Sequence, residues 1–194
     1  MKKKPEGGIR AVQTRYAGYR FRSRLEARWA VFFDALGIRW EYEPEGFELG
    51  FGERYLPDFF LRVSAEVEAR RGWQGKGYGY WAEIKAEMPT GDEIRKLEAV
   101  CRSTQHHGYL FYGTPGENPW LNIDFRPPQL EGRAAVDAFT KQFGKPGFKL
   151  QEHLHLAAII SMCANGSDAP EAVDAAINAA RGARFEFGES GAAE

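Results

Sequence analysis

Two short stretches of the chain decide its fold: Leu56-Pro57-Asp58-Phe59-Phe60 and Tyr80-Trp81-Ala82-Glu83-Ile84-Lys85-Ala86. Both are rich in residue types that favour β-strands. Because successive side chains of a strand point to opposite faces, Glu83 and Lys85 are expected on the same face. The second stretch therefore predicts a strand that carries a carboxylate and an ammonium group side by side.

Asp58 and Glu83 are each flanked by apolar residues, which predicts that both carboxylates are buried. A buried charge costs free energy unless it is paired or binds a metal ion. Two carboxylates in neighbouring strands can offset this cost by sharing a cation, so we expect Asp58, Glu83 and Lys85 to converge on a divalent cation. Two simpler interpretations stay open: Pro57-Asp58 as a turn, and Glu83 with Lys85 as an exposed pair on a solvated strand face.

The composition predicts a globular protein with one domain, or with a core and an appendage, because 43% of the 194 residues are hydrophobic. Cys101 and Cys163 are too few and too far apart for a disulfide framework or a structural zinc site. No apolar run reaches the roughly 18 residues of a membrane span, and the start of the chain lacks the apolar segment of a secretory signal. We therefore expect a cytoplasmic protein with no membrane partner.

The net charge of −1 hides an uneven distribution along the chain. Residues 1–40 carry ten basic and three acidic side chains, whereas residues 41–60 carry one basic and six acidic side chains. A basic segment beside an acidic one is what a phosphate-binding surface around a cation site requires. The alternative, that the basic end only improves solubility, stays open because linear charge is a weak guide to surface charge.

Helical and strand patterns alternate along the first part of the chain. Ser23 with Glu26, and Thr90 with Glu93, have the capping-box spacing that begins a helix. Residues 66–81 are rich in glycine and predict a long, mobile hairpin tip. The predicted elements are a helix at 23–36, strands at 38–42, 47–51, 54–63 and 80–86, a helix at 90–103, a strand at 108–113 and an edge strand at 120–125. This order predicts an α/β fold with a mixed central β-sheet flanked by helices.

The remaining sequence predicts an arm, an extension and a tail around this core. Residues 1–18 are expected to form a flexible basic arm, residues 19–128 the core, and residues 187–194 a disordered tail. Residues 129–186 predict a C-terminal helical extension with helices at 133–143, 149–164 and 168–182. Packing on the core is the preferred role of these helices, and dimerisation or partner binding stays open.

In chain order, the helix with Glu26, the strand with Pro57-Asp58 and the strand with Glu83-Ile84-Lys85 resemble the PD-(D/E)XK nuclease superfamily. The resemblance covers residues 19–113 and extends to small phage and bacterial proteins with no assigned substrate. It implies a restriction-endonuclease-like core and a bacterial or phage-infected host cell. Asp58, Glu83 and the main-chain carbonyl of Ile84 would bind Mg²⁺, for which Mn²⁺ could substitute. Lys85 would orient the attacking water, and Glu26 would complete the site directly or through water, or would only cap its helix.

The expected partner is nucleic acid, with DNA preferred over RNA, and a homodimer stays open. The residues expected to contact it are basic or aromatic: Arg20, Arg22, Arg24, Arg70, Arg71, Trp73, Lys76 and Lys96. The leading hypothesis is a Mg²⁺-dependent DNA endonuclease that acts in phage or mobile-element DNA processing, recombination or repair. Two alternatives stay open: a non-catalytic nucleic-acid-binding protein with this fold, and a protein that binds a partner through its C-terminal helices.

Overall fold

The computed structural model describes residues 13–117, the backbone of residues 121–123, residue 163 and residues 170–185. The first twelve residues, the predicted helix at 133–143, nearly all of that at 149–164, the boundary at 128 and the predicted tail lie outside the described residues. The described helices are α1 (Arg24–Ala35), α2 (Ala65–Arg71), α3 (Gly91–Thr104) and α4 (Pro170–Gly182). The described strands are β1 (Thr14–Tyr16), β2 (Tyr19–Phe21), β3 (Trp40–Tyr42), β4 (Phe47–Gly50), β5 (Glu53–Tyr55), β6 (Phe59–Arg62), β7 (Gly79–Lys85), β8 (His107–Tyr112) and β9 (Leu121–Ile123).

A five-stranded sheet of mixed orientation forms the centre of the fold. Its strand order is β3-β6-β7-β8-β9, with β9 at an edge as the sequence predicts. The pair β7–β8 is parallel and the other neighbours are antiparallel. The pairs β1–β2 and β4–β5 form two separate antiparallel hairpins. The prediction of an α/β fold with a mixed central sheet is confirmed.

Helices cover both faces of the sheet, and β7 supplies residues to each face. Ala82 and Ile84 belong to the apolar core that contains the buried face of α1, whereas Trp81 packs with the buried side chains of α3. The alternation predicted for this strand is therefore confirmed. α4 also packs against α1, and Arg28 donates a hydrogen bond to the carbonyl of Arg181 at 2.8 Å. The part of the predicted extension that the structure describes thus packs on the core.

The two long predicted helices begin where their capping residues are. The Ser23 hydroxyl accepts a hydrogen bond from the Glu26 N–H at 3.1 Å, and Thr90 with Glu93 forms a complete capping box. In α1, the side chains of Trp29, Phe32 and Phe33 are buried, and the helix ends at Ala35, with Leu36 as its C-cap before a glycine in the left-handed region. Both helix predictions are confirmed. They were possible from sequence because the signals lie within a few residues of each helix boundary.

The structure corrects three predictions about local structure. Residues 66–81 are not a continuous hairpin tip, since Ser64 caps α2 and Gly72 ends it in the left-handed region. The predicted strand at 54–63 is two strands, interrupted around Pro57, which has no N–H to donate. The predicted arm of residues 1–18 reaches too far, because residues 14–16 form β1 and pair with β2.

Close packing at the start of β7 gives a stability prediction. A Cβ atom at Gly79 would lie 2.5 Å from the Leu61 carbonyl oxygen and 2.5 Å from the Phe60 ring. The Leu61 oxygen is main chain of the neighbouring strand and cannot move without disturbing the sheet. We expect Gly79→Ala to lower the free energy of unfolding by about 1–3 kcal/mol. Each kcal/mol lost should lower the melting temperature by about 2–4 °C.

Gly91→Ala is the matched control, because a Cβ atom there would meet no heavy atom within 4 Å. Gly91 begins α3, where alanine is a better helix former than glycine. Thermal unfolding of the two variants, followed by circular dichroism, measures the difference. Equal melting temperatures would contradict the packing described for Gly79.

Candidate active site

Asp58 and Glu83 lie side by side in the interior, joined through main-chain groups. The register pairs Phe59 with Ala82, so Asp58 comes opposite Glu83 just before the start of β6. The Ile84 N–H donates to Asp58 Oδ2 at 2.7 Å, and the Asp58 N–H donates to Glu83 Oε2 at 3.2 Å. Both acidic residues are only 3% exposed. The predicted convergence of these two residues is therefore observed, and Asp58 is not part of a solvated turn.

Lys85 completes the group that the sequence predicts. Its Nζ atom lies 2.6 Å from Glu83 Oε1 and 3.5 Å from Glu93 Oε1 at the start of α3. The Lys85 side chain keeps 27% of its surface exposed, whereas the Glu83 side chain keeps 4%. The pair is therefore partly buried and opens to solvent on the lysine side, which is not the exposed surface pair of the simpler interpretation.

Glu26 is buried and accepts three hydrogen bonds, two from the residues just before α1 and one from β3. Ser23 Oγ lies 2.7 Å from its Oε1 atom, while the Tyr42 hydroxyl and the Arg22 N–H lie 2.5 Å and 3.1 Å from its Oε2 atom. A carboxylate can accept about four hydrogen bonds, so most of its capacity is used. The interaction with the helix cap is confirmed, and a metal-binding role for Glu26 remains a prediction.

Arg22 reaches into the same site from the segment before α1. Its Nη2 atom lies 2.6 Å from Asp58 Oδ1, and its Nε atom lies 2.6 Å from Glu43 Oε1. The sequence predicts Arg22 on a nucleic-acid-binding surface and gives no sign of its contact with Asp58, 36 residues away. Glu43, which pairs with Arg22, and Tyr55, which lies near Glu83, also belong to the surroundings of the site, and nothing in their local sequence marks them.

The surroundings raise the pKa of Asp58 well above its ordinary range. Burial is the main cause, followed by the negative charges of Glu83 and Glu26; the Ile84 N–H and Arg22 act in the opposite direction. Arg22 does not reverse the shift, because 52% of its side chain is exposed and water screens its charge. For Lys85, burial lowers the pKa and is the largest single influence, but Glu83, Asp58 and Glu93 together outweigh it, so the net direction is upward. The lysine therefore stays charged beside an excess of acid.

These residues fit a hard divalent cation. Mg²⁺ prefers oxygen ligands, often one or two carboxylates together with water and substrate oxygens. Asp58 and Glu83 offer two carboxylates, and the Ile84 carbonyl is expected on the side of its N–H, toward Asp58. Within the described residues, no three His, Cys, Asp or Glu side chains form a metal-binding group by themselves. Water and substrate would have to supply the other ligands of a cation here.

The other residues expected to contact nucleic acid lie in three places: around the start of α1, on α3, and between β6 and β7. Arg20 pairs with Gln13, Arg24 is exposed at the start of α1, and Lys96 pairs with Asp92 at 2.8 Å. Four of these residues lie in the segment that connects β6 to β7, which the sequence predicts as a hairpin tip: Arg70, Arg71, Trp73 and Lys76. This segment is at the end of the sheet opposite Asp58. Contact of these four residues with nucleic acid remains a prediction, and the surface that they form lies away from the acids.

Comparison of the chain with protein-family models, with curated proteins and with solved structures found no match. Among the residues that the structure describes, no helix is long and apolar enough to cross a membrane.

Proposed function

We propose that the protein is a divalent-metal-dependent nuclease that hydrolyses phosphodiester bonds, with DNA as the preferred substrate. The observation that carries the proposal is the buried pair Asp58 and Glu83 with Lys85 Nζ 2.6 Å from Glu83. Two adjacent buried carboxylates repel each other, and a shared cation removes that cost. A PD-(D/E)XK-like core, a DNA-processing role and a bacterial or phage setting belong to the same proposal.

Each residue has a defined task in this proposal. Asp58, Glu83 and the Ile84 carbonyl would hold Mg²⁺, which when bound polarises a phosphoryl oxygen and lowers the pKa of a coordinated water. Lys85 stays protonated, so it can donate hydrogen bonds to the attacking water or to a phosphate oxygen where negative charge develops. Glu26 and Ile84 hold their neighbours in place through the hydrogen bonds to Tyr42 and Asp58.

The direct test is a cleavage assay on the purified full chain. Supercoiled, branched and single-stranded DNA, and RNA, are each incubated with and without Mg²⁺. Mg²⁺-dependent cutting of at least one substrate supports the proposal, and Mn²⁺ should substitute. Salt-sensitive binding without cutting would favour the alternative of a non-catalytic nucleic-acid-binding protein. The absence of both cutting and binding would contradict both functions.

One observation favours that second candidate independently of the acids. At the far end of the sheet, the Arg71 guanidinium lies 5.1 Å from the centre of the Trp73 ring, and Trp73 contacts Tyr78 with ring centres 4.7 Å apart. A cationic group over aromatic rings is a surface on which nucleobases can stack. Trp73→Ala is expected to weaken DNA binding without changing the metal dependence of cutting.

Metal-free protein is expected to lose stability as the pH rises above about 4. Because the folded-state pKa of Asp58 is raised, its contribution to stability is complete below the unfolded pKa, near 4, and is lost as the pH rises through the folded pKa. A divalent cation binds the ionised form and should reverse this trend. We therefore expect the melting temperature in EDTA to fall from about pH 5 to about pH 8, and the increase caused by Mg²⁺ to grow over that interval.

Asp58→Ala isolates this contribution from other titrating groups, since the variant should lack both trends. The measurement is differential scanning fluorimetry at constant ionic strength. An Mg²⁺ effect of the same size at every pH, or one retained in Asp58→Ala, would show that the cation acts elsewhere.

A further inference from the structure

The Arg22 guanidinium lies against the Asp58 oxygen that is not bound to the main chain of β7. Asp58 Oδ2 accepts the Ile84 N–H at 2.7 Å, whereas Oδ1 faces the Arg22 guanidinium at 2.6 Å. The first contact is made by the main chain of β7, which is held between two neighbouring strands. The second is made by a side chain that is 52% exposed. Of the two partners of the Asp58 carboxylate, Arg22 is the one with room to move into solvent.

The main chain and the side chain of Arg22 are held by different partners. The Arg22 N–H donates to Glu26 Oε2 at 3.1 Å and to the Tyr42 hydroxyl at 3.0 Å, so the backbone is held beside α1. The guanidinium has a second acidic partner, with Nε 2.6 Å from Glu43 Oε1. The Glu43 N–H in turn donates to the Asp58 carbonyl at 2.8 Å, which keeps Glu43 next to the site. A guanidinium that leaves Asp58 therefore still has Glu43 as a partner.

We propose that Arg22 is a built-in counter-ion that competes with the divalent cation for Asp58, so that metal binding requires its guanidinium to move away. The inference rests on the proposed function. A guanidinium and a divalent cation that share one carboxylate oxygen repel each other strongly in a buried site. Before metal binds, Arg22 offsets the negative charge of the acid cluster. Its presence makes the metal-free fold more stable and the affinity for the cation lower.

Isothermal titration of the metal-free full chain with Mg²⁺ alone, without nucleic acid, tests this competition. Arg22→Gln is expected to bind Mg²⁺ at least about tenfold more tightly than the wild type, because a unit positive charge in contact with a ligand oxygen is removed. Arg22→Lys, which restores the charge, should return the affinity toward the wild-type value. Arg15→Gln is the matched control, an exposed arginine of β1, and should bind Mg²⁺ as the wild type does.

A second measurement separates competition from a structural role. In EDTA, Arg22→Gln should melt at a lower temperature than the wild type, because Asp58 loses its counter-ion, and saturating Mg²⁺ should remove that difference. Unchanged or weaker Mg²⁺ affinity in Arg22→Gln, beside a wild type that binds Mg²⁺, would overturn the competition and leave the proposed function standing. Absence of Mg²⁺ binding in the wild type and in Arg22→Gln alike would overturn both.

Discussion

Asp58→Ala is expected to abolish Mg²⁺-dependent cutting, with a loss of at least about a thousandfold, more than the roughly 10²–10³ for one hydrogen-bond donor to a transition state. Main-chain N–H groups just before β6 and in β7 join the carboxylates of Asp58 and Glu83 directly, and among the described residues no other pair of carboxylates is joined in this way by these strands. Losing one leaves a single carboxylate, which is a poor site for a small, strongly hydrated cation. The variant should therefore lose metal binding and cutting together.

The fold should survive this substitution. The pKa of Asp58 is raised in the folded protein, so its charge does not stabilise the metal-free state. Asp174→Ala is the control, because Asp174 is an exposed carboxylate on α4. Cutting and Mg²⁺ titration are measured on both variants, with circular dichroism as the check on folding. Cutting that persists in a folded Asp58→Ala variant would remove Asp58 from the site.

Lys85→Ala is expected to lose cutting by about a hundred- to a thousandfold while it keeps metal binding. The ammonium group is the charged donor that opens to solvent beside Glu83, where the scissile phosphate would have to approach. Its removal makes the site more negative, so the affinity for Mg²⁺ should be unchanged or higher. Single-turnover cleavage rates and Mg²⁺ titration on the same preparation show whether the two properties separate.

Lys96→Ala is the matched lysine control for Lys85. Lys96 pairs with Asp92 and Glu53 on the surface of α3, where water screens such pairs. We expect the cutting rate of Lys96→Ala at saturating substrate to match the wild type, with any effect confined to substrate binding. Equal loss in both lysine variants would indicate a general effect of positive charge. Full activity in Lys85→Ala would contradict the proposed mechanism.

Much of the fold follows from signals that lie within a few residues of each other. Ser23 and Thr90 mark where α1 and α3 begin, and the alternation of Ala82 and Ile84 with Trp81 assigns the two faces of β7. Capping and strand alternation are local properties of the chain, so the sequence alone predicts them. The short helix α2 has a local signal too, in Ser64 and Gly72, but the glycine content of the segment favoured a loop.

The contents of the site divide in the same way. Burial of Asp58 and Glu83 was predictable, because an acid among apolar strand residues has few alternatives. The interruption of the predicted strand near Pro57 was not predictable, because β5 pairs with β4 outside the central sheet. Asp58 lies before the start of β6, whereas the end of β6 leads into α2 and then to Trp73. Trp73 and its neighbours are therefore separated from the acids by the length of the strand.

The amino-acid sequence was enough to predict the long helices, the face of β7 that carries Glu83 and Lys85, and the residue types that suit a cation. Folding of the whole chain was needed to bring Arg22 to Asp58 across 36 residues and to place Trp73 and Tyr78 at the other end of the sheet. The difference is one of range along the chain. Caps and alternation are set by neighbouring residues, whereas strand order and register, which no single segment encodes, bring distant side chains within 2.6 Å of each other.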